Sequence, residues 1–235
     1  MHFPKTAGSA IKYAVGKSPH RKSFRLQAHP TGFEHLTIPE RRSQIFVTIR
    51  KPLDWYLSLY NFKIHSQGGK SYGGMRDSNL TAFMADHVDL LNGPNGIMRW
   101  NEPSAFKQHV REIAETLYKS PNRHVVGFCT ATFLYYSHED WRSILNDRDP
   151  HGRIASMPLG QGSVNHVIRQ ELLQIDMDKM CANSSCAIDL SRQVNKMPAN
   201  NYRDLVDIEA RRKIAYLDRS MISRFYGDGT SSFTR

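Results

Sequence analysis

The chain has 235 residues, of which 40% are hydrophobic and 23% charged. That balance excludes a disordered chain, and the length suits a single domain of 1–235 with a sizeable core. The formal net charge is +10, and residues 1–63 carry +8 of it, with eleven Lys/Arg against three Asp/Glu. A basic first quarter predicts an anionic ligand there. No apolar run reaches the roughly 18 residues of a membrane span, and residues 1–15 lack the continuous apolar stretch of a signal peptide. The three cysteines, Cys129, Cys181 and Cys186, are an odd number and make no disulfide framework. Free thiols are the expectation, with a Cys181–Cys186 loop open in an oxidising compartment. The sequons at Asn79 and Asn183 matter only in a secretory protein.

In chain order, residues 9–17 predict a short helix after a glycine turn. Residues 24–29 (FRLQAH) predict a strand. Residues 44–49 (QIFVTI) are the clearest strand, nearly continuous in apolar character as buried parallel strands are. Pro52 suits a helix's first turn, and Leu53, Leu57, Tyr60 and Ile64 follow at helical spacing. Residues 66–75 are Gly-rich and predict a loop. Phe106, Val110, Ile113 and Leu117 mark an amphipathic helix. It leads to a second buried strand at 124–128 (HVVGF), then loosely helical sequence to Leu145. Residues 146–163 predict a loop, 170–180 a helix, and 208–225 a last helix with Ile214, Leu217, Met221 and Phe225 on one face. Strands alternating with helices predict an α/β fold with a central, mainly parallel sheet flanked by helices.

Two segments carry chemistry. Pro4-Lys5-Thr6-Ala7-Gly8-Ser9 opens the first helix. Gly8 and Ala7 allow close backbone approach, the helix start favours an anion, Lys5 adds charge, and Thr6 and Ser9 add hydroxyl donors. The segment is not a Walker A loop. Gly16-Lys17-Ser18 contains the GKS of one, but Ile11 stands where its first glycine belongs. Composition alone allows a basic turn capping a helix. In the second segment, Arg50 ends the central strand and Ser58 lies two turns into the next helix. Ligands in open α/β sheets bind beyond the carboxyl ends of strands, where an arginine can fork onto a phosphate. The alternative is an Arg50–Asp54 pair with Ser58 bonded back to its own helix.

Together, the two segments resemble the cofactor motifs of the sulfotransferases that use 3′-phosphoadenosine 5′-phosphosulfate (PAPS), in particular the uronyl 2-O-like carbohydrate sulfotransferases. His2-Phe3-Pro4-Lys5-Thr6-Ala7-Gly8-Ser9 is similar to their 5′-phosphosulfate loop. Arg50, Pro52 and Ser58 are similar to their 3′-phosphate motif, with Trp55 where the family often has Arg. Residues 167–176, containing Arg169-Gln170-Glu171 and Asp176, resemble a further family stretch of the form RQExLxxD. Gln193-Val194-Asn195-Lys196 with Asp218, Phe225 and Gly227 resembles the closing one.

The resemblance implies a three-layer P-loop-like domain and a sulfuryl transfer from PAPS to an acceptor hydroxyl of a carbohydrate. It also implies release of 3′-phosphoadenosine 5′-phosphate (PAP), with no metal required. Lys5, Thr6, Ala7, Gly8 and Ser9 would hold the 5′-phosphosulfate, with Lys5 also steadying charge on the bridging oxygen. Arg50 and Ser58 would hold the 3′-phosphate. The family's base is a histidine between the two motifs, a place that His29 fits, with His35 and Glu34 in reserve. The family's first motif follows a buried strand; only two residues precede Phe3 here, so that strand is shortened, cut off by truncation of the sequence, or replaced by other structure.

Residues 92–100 could line a sugar site or form an ordinary loop. A kinase would need a Walker loop and a Mg²⁺ site, and a nucleic-acid binder a recognised motif. Neither is found, and no metal-ligand spacing is present. The expected setting is soluble and cytoplasmic, bacterial or viral, with a Golgi lumenal domain as the alternative.

Overall fold

The computed structural model describes residues 8–25, 32–65, 105–182, 188–190 and 206–227. The chain divides into two compact units. One contains residues 1–50, 136–139 and 158–199, and the other residues 51–135, 140–157 and 200–235. Secondary structure is mixed but mostly helical, and among the described residues the sheet is a parallel pair of strands. Among those residues no helix is long and apolar enough to cross a membrane.

The first unit is built around strands β1 (Phe46–Ile49) and β2 (His166–Arg169). They run parallel, with Phe46 opposite His166 and Ile49 opposite Arg169. Asn165 secures the start of the pairing: its side chain accepts the Ile45 amide at 2.7 Å and its own amide donates to the Ile45 carbonyl at 2.8 Å. Helix α1 (Gly8–Lys17) turns Ile11, Ala14 and Val15 onto Phe46 and Ile168. That i, i+3, i+4 spacing is the apolar stripe of a surface helix. Helix α8 (Leu173–Cys181) adds Met177 to the same cluster, and Ile188 and Leu190 complete it. Val47 and Ile49, which alternate to the other face, are also wholly buried. β1 is therefore covered on both faces, which explains its unbroken apolar sequence. A short helix α2 (Ile38–Arg41) precedes it, opened by a capping box in which the Glu40 side chain accepts the Thr37 amide at 2.8 Å.

The second unit is helical among its described residues. It holds α3 (Pro52–His65), α4 (Ala105–Lys119), most of α5 (Phe128–Ser137), α6 (Trp141–Leu145), α7 (Pro150–Ser156), α9 (Ile208–Leu217) and α10 (Arg219–Tyr226). α4 buries Val110, Ile113, Ala114 and Leu117 on one stripe. α5 is buried all round, so its sequence shows no helical period.

The structure departs from the sequence reading in several places. Residues 124–128 are not a strand. Residues 121–126 turn, with the amides of Val125 and Val126 donating to the Asn122 carbonyl at 2.9 Å each. The Gly127 amide goes to the Leu217 carbonyl at 2.9 Å, and Phe128 begins α5. Val126, Gly127 and Phe128 are buried, and their apolar character reflects that burial rather than extension. Residues 166–169, read only as part of a family stretch, are a strand. The 146–163 segment contains α7, with Pro150 in its first turn and Asp149 accepting the Gly152 amide at 3.0 Å. The 208–225 helix is two, broken at Asp218, whose φ/ψ of −104°/18° leave the helical region. Phe24 and Arg25 have no regular structure, and the rest of the 24–29 segment lies outside the described residues. The parallel sheet stands as expected, while three layers around a larger sheet remain an expectation drawn from the resemblance.

Candidate functional site

β1 delivers Arg50 to the carboxyl end of the sheet, where it is half-buried in the turn into the next helix. Lys51 follows, and its carbonyl accepts the Trp55 amide at 2.9 Å to start α3. Pro52 opens that helix without wasting a donor, because its missing N–H would have been unpaired there. Ser58 is half-buried on α3, in the second turn. Chain order and the strand-to-helix turn therefore place Arg50 as the sequence predicted.

Gly8 is the first residue of α1, half-buried, and Ser9 falls in its first turn. Lys5, Thr6, Ala7 and His29 lie outside the described residues, as do the 66–75 and 92–100 segments and both sequons. The reserve bases lie in a single 3-10 turn, Phe33–His35. His35 Nε2 is 3.4 Å from Glu34 Oε1, and the imidazole is the more exposed of the two. Among the cysteines, Cys129 and Cys181 are buried thiols outside any disulfide, and Cys186 lies outside the described residues.

Trp55, at the position where the family often has Arg, is 1% exposed. Its ring meets Tyr56 edge-on at 5.2 Å and Phe128 at 5.7 Å. Here that position is core, packed on aromatic rings.

At the end of β2, Arg169 is held by Asp176 from α8. Asp176 Oδ2 accepts the Arg169 amide at 2.9 Å and Nε at 2.8 Å, and Oδ1 accepts Nη2 at 2.7 Å. Burial alone would raise the Asp176 carboxyl, but the Arg169 bonds override it and hold the carboxyl below its ordinary value. The pair falls within residues 167–176, so the Arg and Asp of the RQExLxxD pattern meet in space.

Two further constellations had no local chemical signal, although Asp218 falls in the closing stretch of the resemblance. The first is Asp218, fully buried at the break between α9 and α10. Its Oδ1 accepts the Thr130 amide at 2.8 Å and the Thr130 hydroxyl at 2.7 Å, capping the first turn of α5 from outside that helix. Tyr56 Oη accepts the neighbouring Cys129 amide at 3.1 Å. Oδ2 takes no well-formed hydrogen bond among the described residues, although the Tyr56 hydroxyl beside it feels the charge. Burial pushes the Asp218 carboxyl up to about 6, against the opposing pull of the Thr130 bonds and Tyr56. Burial and then the Asp218 charge push the Tyr56 hydroxyl well above its usual value. Gly127 makes the approach possible, since a Cβ there would stand 2.2 Å from Asp218 Oδ1. The second is His151, with Nδ1 2.9 Å from Ser220 Oγ and Nε2 2.9 Å from the Val125 carbonyl. Burial lowers its pKa, so the ring is neutral, donating from Nε2 and accepting from the serine. It ties α7 to α10 and to the turn before α5.

No family model, curated protein or solved structure matches the chain.

Proposed function

We propose that the protein is a PAPS-dependent sulfotransferase that moves a sulfuryl group onto an acceptor hydroxyl of a carbohydrate. The observation that carries this reading is Arg50, half-buried at the carboxyl end of a buried parallel strand and followed at once by a helix that bears Ser58. A guanidinium at a strand's carboxyl edge suits a phosphate ester, which it can meet with two parallel hydrogen bonds. PAPS supplies the activated sulfuryl group, whose new bond to the acceptor oxygen forms as its bond to the phosphate oxygen breaks.

In this reading the 5–9 loop holds the 5′ end through Lys5, the loop amides and the hydroxyls of Thr6 and Ser9. Lys5 balances the charge left on the phosphate oxygen. Arg50 and Ser58 hold the 3′-phosphate. His29 takes the acceptor's hydroxyl proton, with His35 and then Glu34 in reserve. The basic first quarter of the chain matches a ligand with several negative charges.

Calorimetric titration with PAP, with ADP as control, tests the reading on the unmodified protein and on Arg50→Ala. Binding of PAP near micromolar, weaker binding of ADP, and a loss of more than tenfold in Arg50→Ala are expected, since a charge-assisted hydrogen bond contributes about 1.5–3 kcal/mol. Equal binding of PAP and ADP, or none, would remove the reading.

A further inference from the structure

We propose that the basic outer surface of α1, the turn that follows it and α2 docks the protein on a membrane rich in anionic lipid. The surface lies in the first unit. None of its residues belongs to the proposed cofactor site.

Charge is segregated in this part of the chain. Glu34 is the first acidic residue, and six Lys/Arg precede it. α1 turns Ile11, Ala14 and Val15 to the core, which leaves Lys12 and Lys17 exposed on its outer side. The Ser18 amide then donates to the Ala14 and Val15 carbonyls at 3.0 and 3.1 Å, and the Arg21 amide to the Ser18 carbonyl at 3.2 Å. That tight turn keeps Arg21 and Lys22, both exposed, close to Lys17. Phe24 packs on the core cluster beneath, and Arg25 reaches α2, with Nη1 3.0 Å from Glu40 Oε1. α2 begins with Ile38, at 69% the most exposed large apolar residue among those described. Arg42, also exposed, follows one helical turn on, its amide donating to the Ile38 carbonyl at 3.2 Å. Glu40 is taken by Arg25 and by the Thr37 amide and hydroxyl. Among the described residues Lys12, Lys17, Arg21, Lys22 and Arg42 make no ion pair.

A phosphosulfate at the start of α1 does not account for these charges. Lys17 ends the helix that Gly8 begins, about 14 Å away along the axis, and Arg21 and Lys22 lie beyond it. A helix end favours a cation in its last turn, which explains Lys17 alone. Cations without counter-charges repel one another, and an anionic surface relieves that cost. Ile38 selects the class of partner. Nucleic acid offers phosphates but no apolar layer beneath them. A bilayer offers anionic headgroups for Lys and Arg, and acyl chains below for an apolar side chain.

The test is cosedimentation of the full chain with vesicles of phosphatidylcholine alone and of two parts phosphatidylcholine to one of phosphatidylserine. Binding to the mixed vesicles that falls as salt rises, with little binding to phosphatidylcholine alone, is expected. One Lys or Arg near an anionic surface contributes about fivefold, so Arg21→Ala/Lys22→Ala is expected to weaken binding at least tenfold. Ile38→Ser leaves the charge unchanged and is expected to weaken it about three- to tenfold. All three positions are exposed, so thermal melts like that of the unmodified protein are expected. Arg212→Ala/Lys213→Ala removes an equally exposed pair from α9 and is expected to leave binding within twofold. No binding to the mixed vesicles would overturn the proposal. So would an equal loss in the α9 variant, which would make net charge the cause. A loss in Arg21→Ala/Lys22→Ala with none in Ile38→Ser would also overturn it, because a surface that reads phosphate charge alone behaves that way toward nucleic acid. PAP affinity, measured separately by calorimetry, is expected to stay within twofold in these variants. A loss of PAP binding in Arg21→Ala/Lys22→Ala matching the loss on vesicles would assign the pair to the cofactor instead.

Discussion

Asp218 shows most plainly how the fold changes the chemistry of a single residue. Its carboxyl is raised to about 6 from an ordinary value of 3.8. A raised acid binds its proton more tightly folded than unfolded. Its contribution to stability is therefore greatest below the unfolded value and declines as pH rises from about 4 to about 6. Ionised at pH 7, it costs on the order of 3 kcal/mol relative to the protonated state. An asparagine in its place would keep the acceptor for Thr130 without the charge. Asp218→Asn is accordingly expected to be at least as stable as the unmodified protein at pH 7. The difference between the two should shrink toward pH 4, as followed by urea unfolding at several pH values. A difference that does not change with pH would show that Asp218 is not the titrating group. Asp176 works in the opposite sense: its lowered carboxyl stabilises the fold above the unfolded value, and that stabilisation is lost as the pH falls. Trp55 is the companion lesson. The residue type was legible, but its burial against Tyr56 and Phe128 was not, because a motif gives spacing and not surroundings.

Among the elements, the legible ones were those whose burial follows a period. α1, α3, α4 and α8 fall where apolar residues recur at three and four, and β1 falls where they are continuous. The illegible elements broke that rule for physical reasons. α5 is buried on every side, so its sequence has no polar face to count. β2 buries only Ile168 well, so it lacks the apolar run of its partner. The break between α9 and α10 is made by Asp218, which turns away from its own helix to cap α5. The start of α9 at Ile208 was readable. Asp207 accepts the Ala210 amide at 2.7 Å and caps α9. Asp207→Ala is expected to cost about 1 kcal/mol in urea unfolding, and Asp207→Asn only a few tenths. Equal losses in both variants would indicate a role for the charge rather than for the cap.

Across the molecule as a whole, the chain leaves the first unit after residue 50, returns for 136–139, and returns again for 158–199. β1 is made early and β2 much later, with 116 residues between the end of one and the start of the other. Neither unit is a contiguous piece of sequence. A fragment of residues 1–135 contains β1 but neither β2 nor α8, so Phe46 loses the β2 strand and Met177. That fragment is expected to show no cooperative thermal transition by circular dichroism, because an unpaired buried strand leaves backbone groups unsatisfied. A sigmoidal melt close to that of the full chain would show that the first 135 residues fold alone.

Local sequence was enough for the mixed helical and strand character, the position of β1, and the turn that puts Arg50 before α3. Each of these depends on neighbours within a few turns of chain, where side-chain period, proline and glycine act directly. Folding in three dimensions was needed to pair β1 with 166–169, to make 124–128 turn into a helix, and to put Arg169 in the grip of Asp176. It was needed equally for the dehydration of Asp218. Strand pairing and desolvation depend on which groups the chain brings together from many positions away, and no local pattern records that meeting.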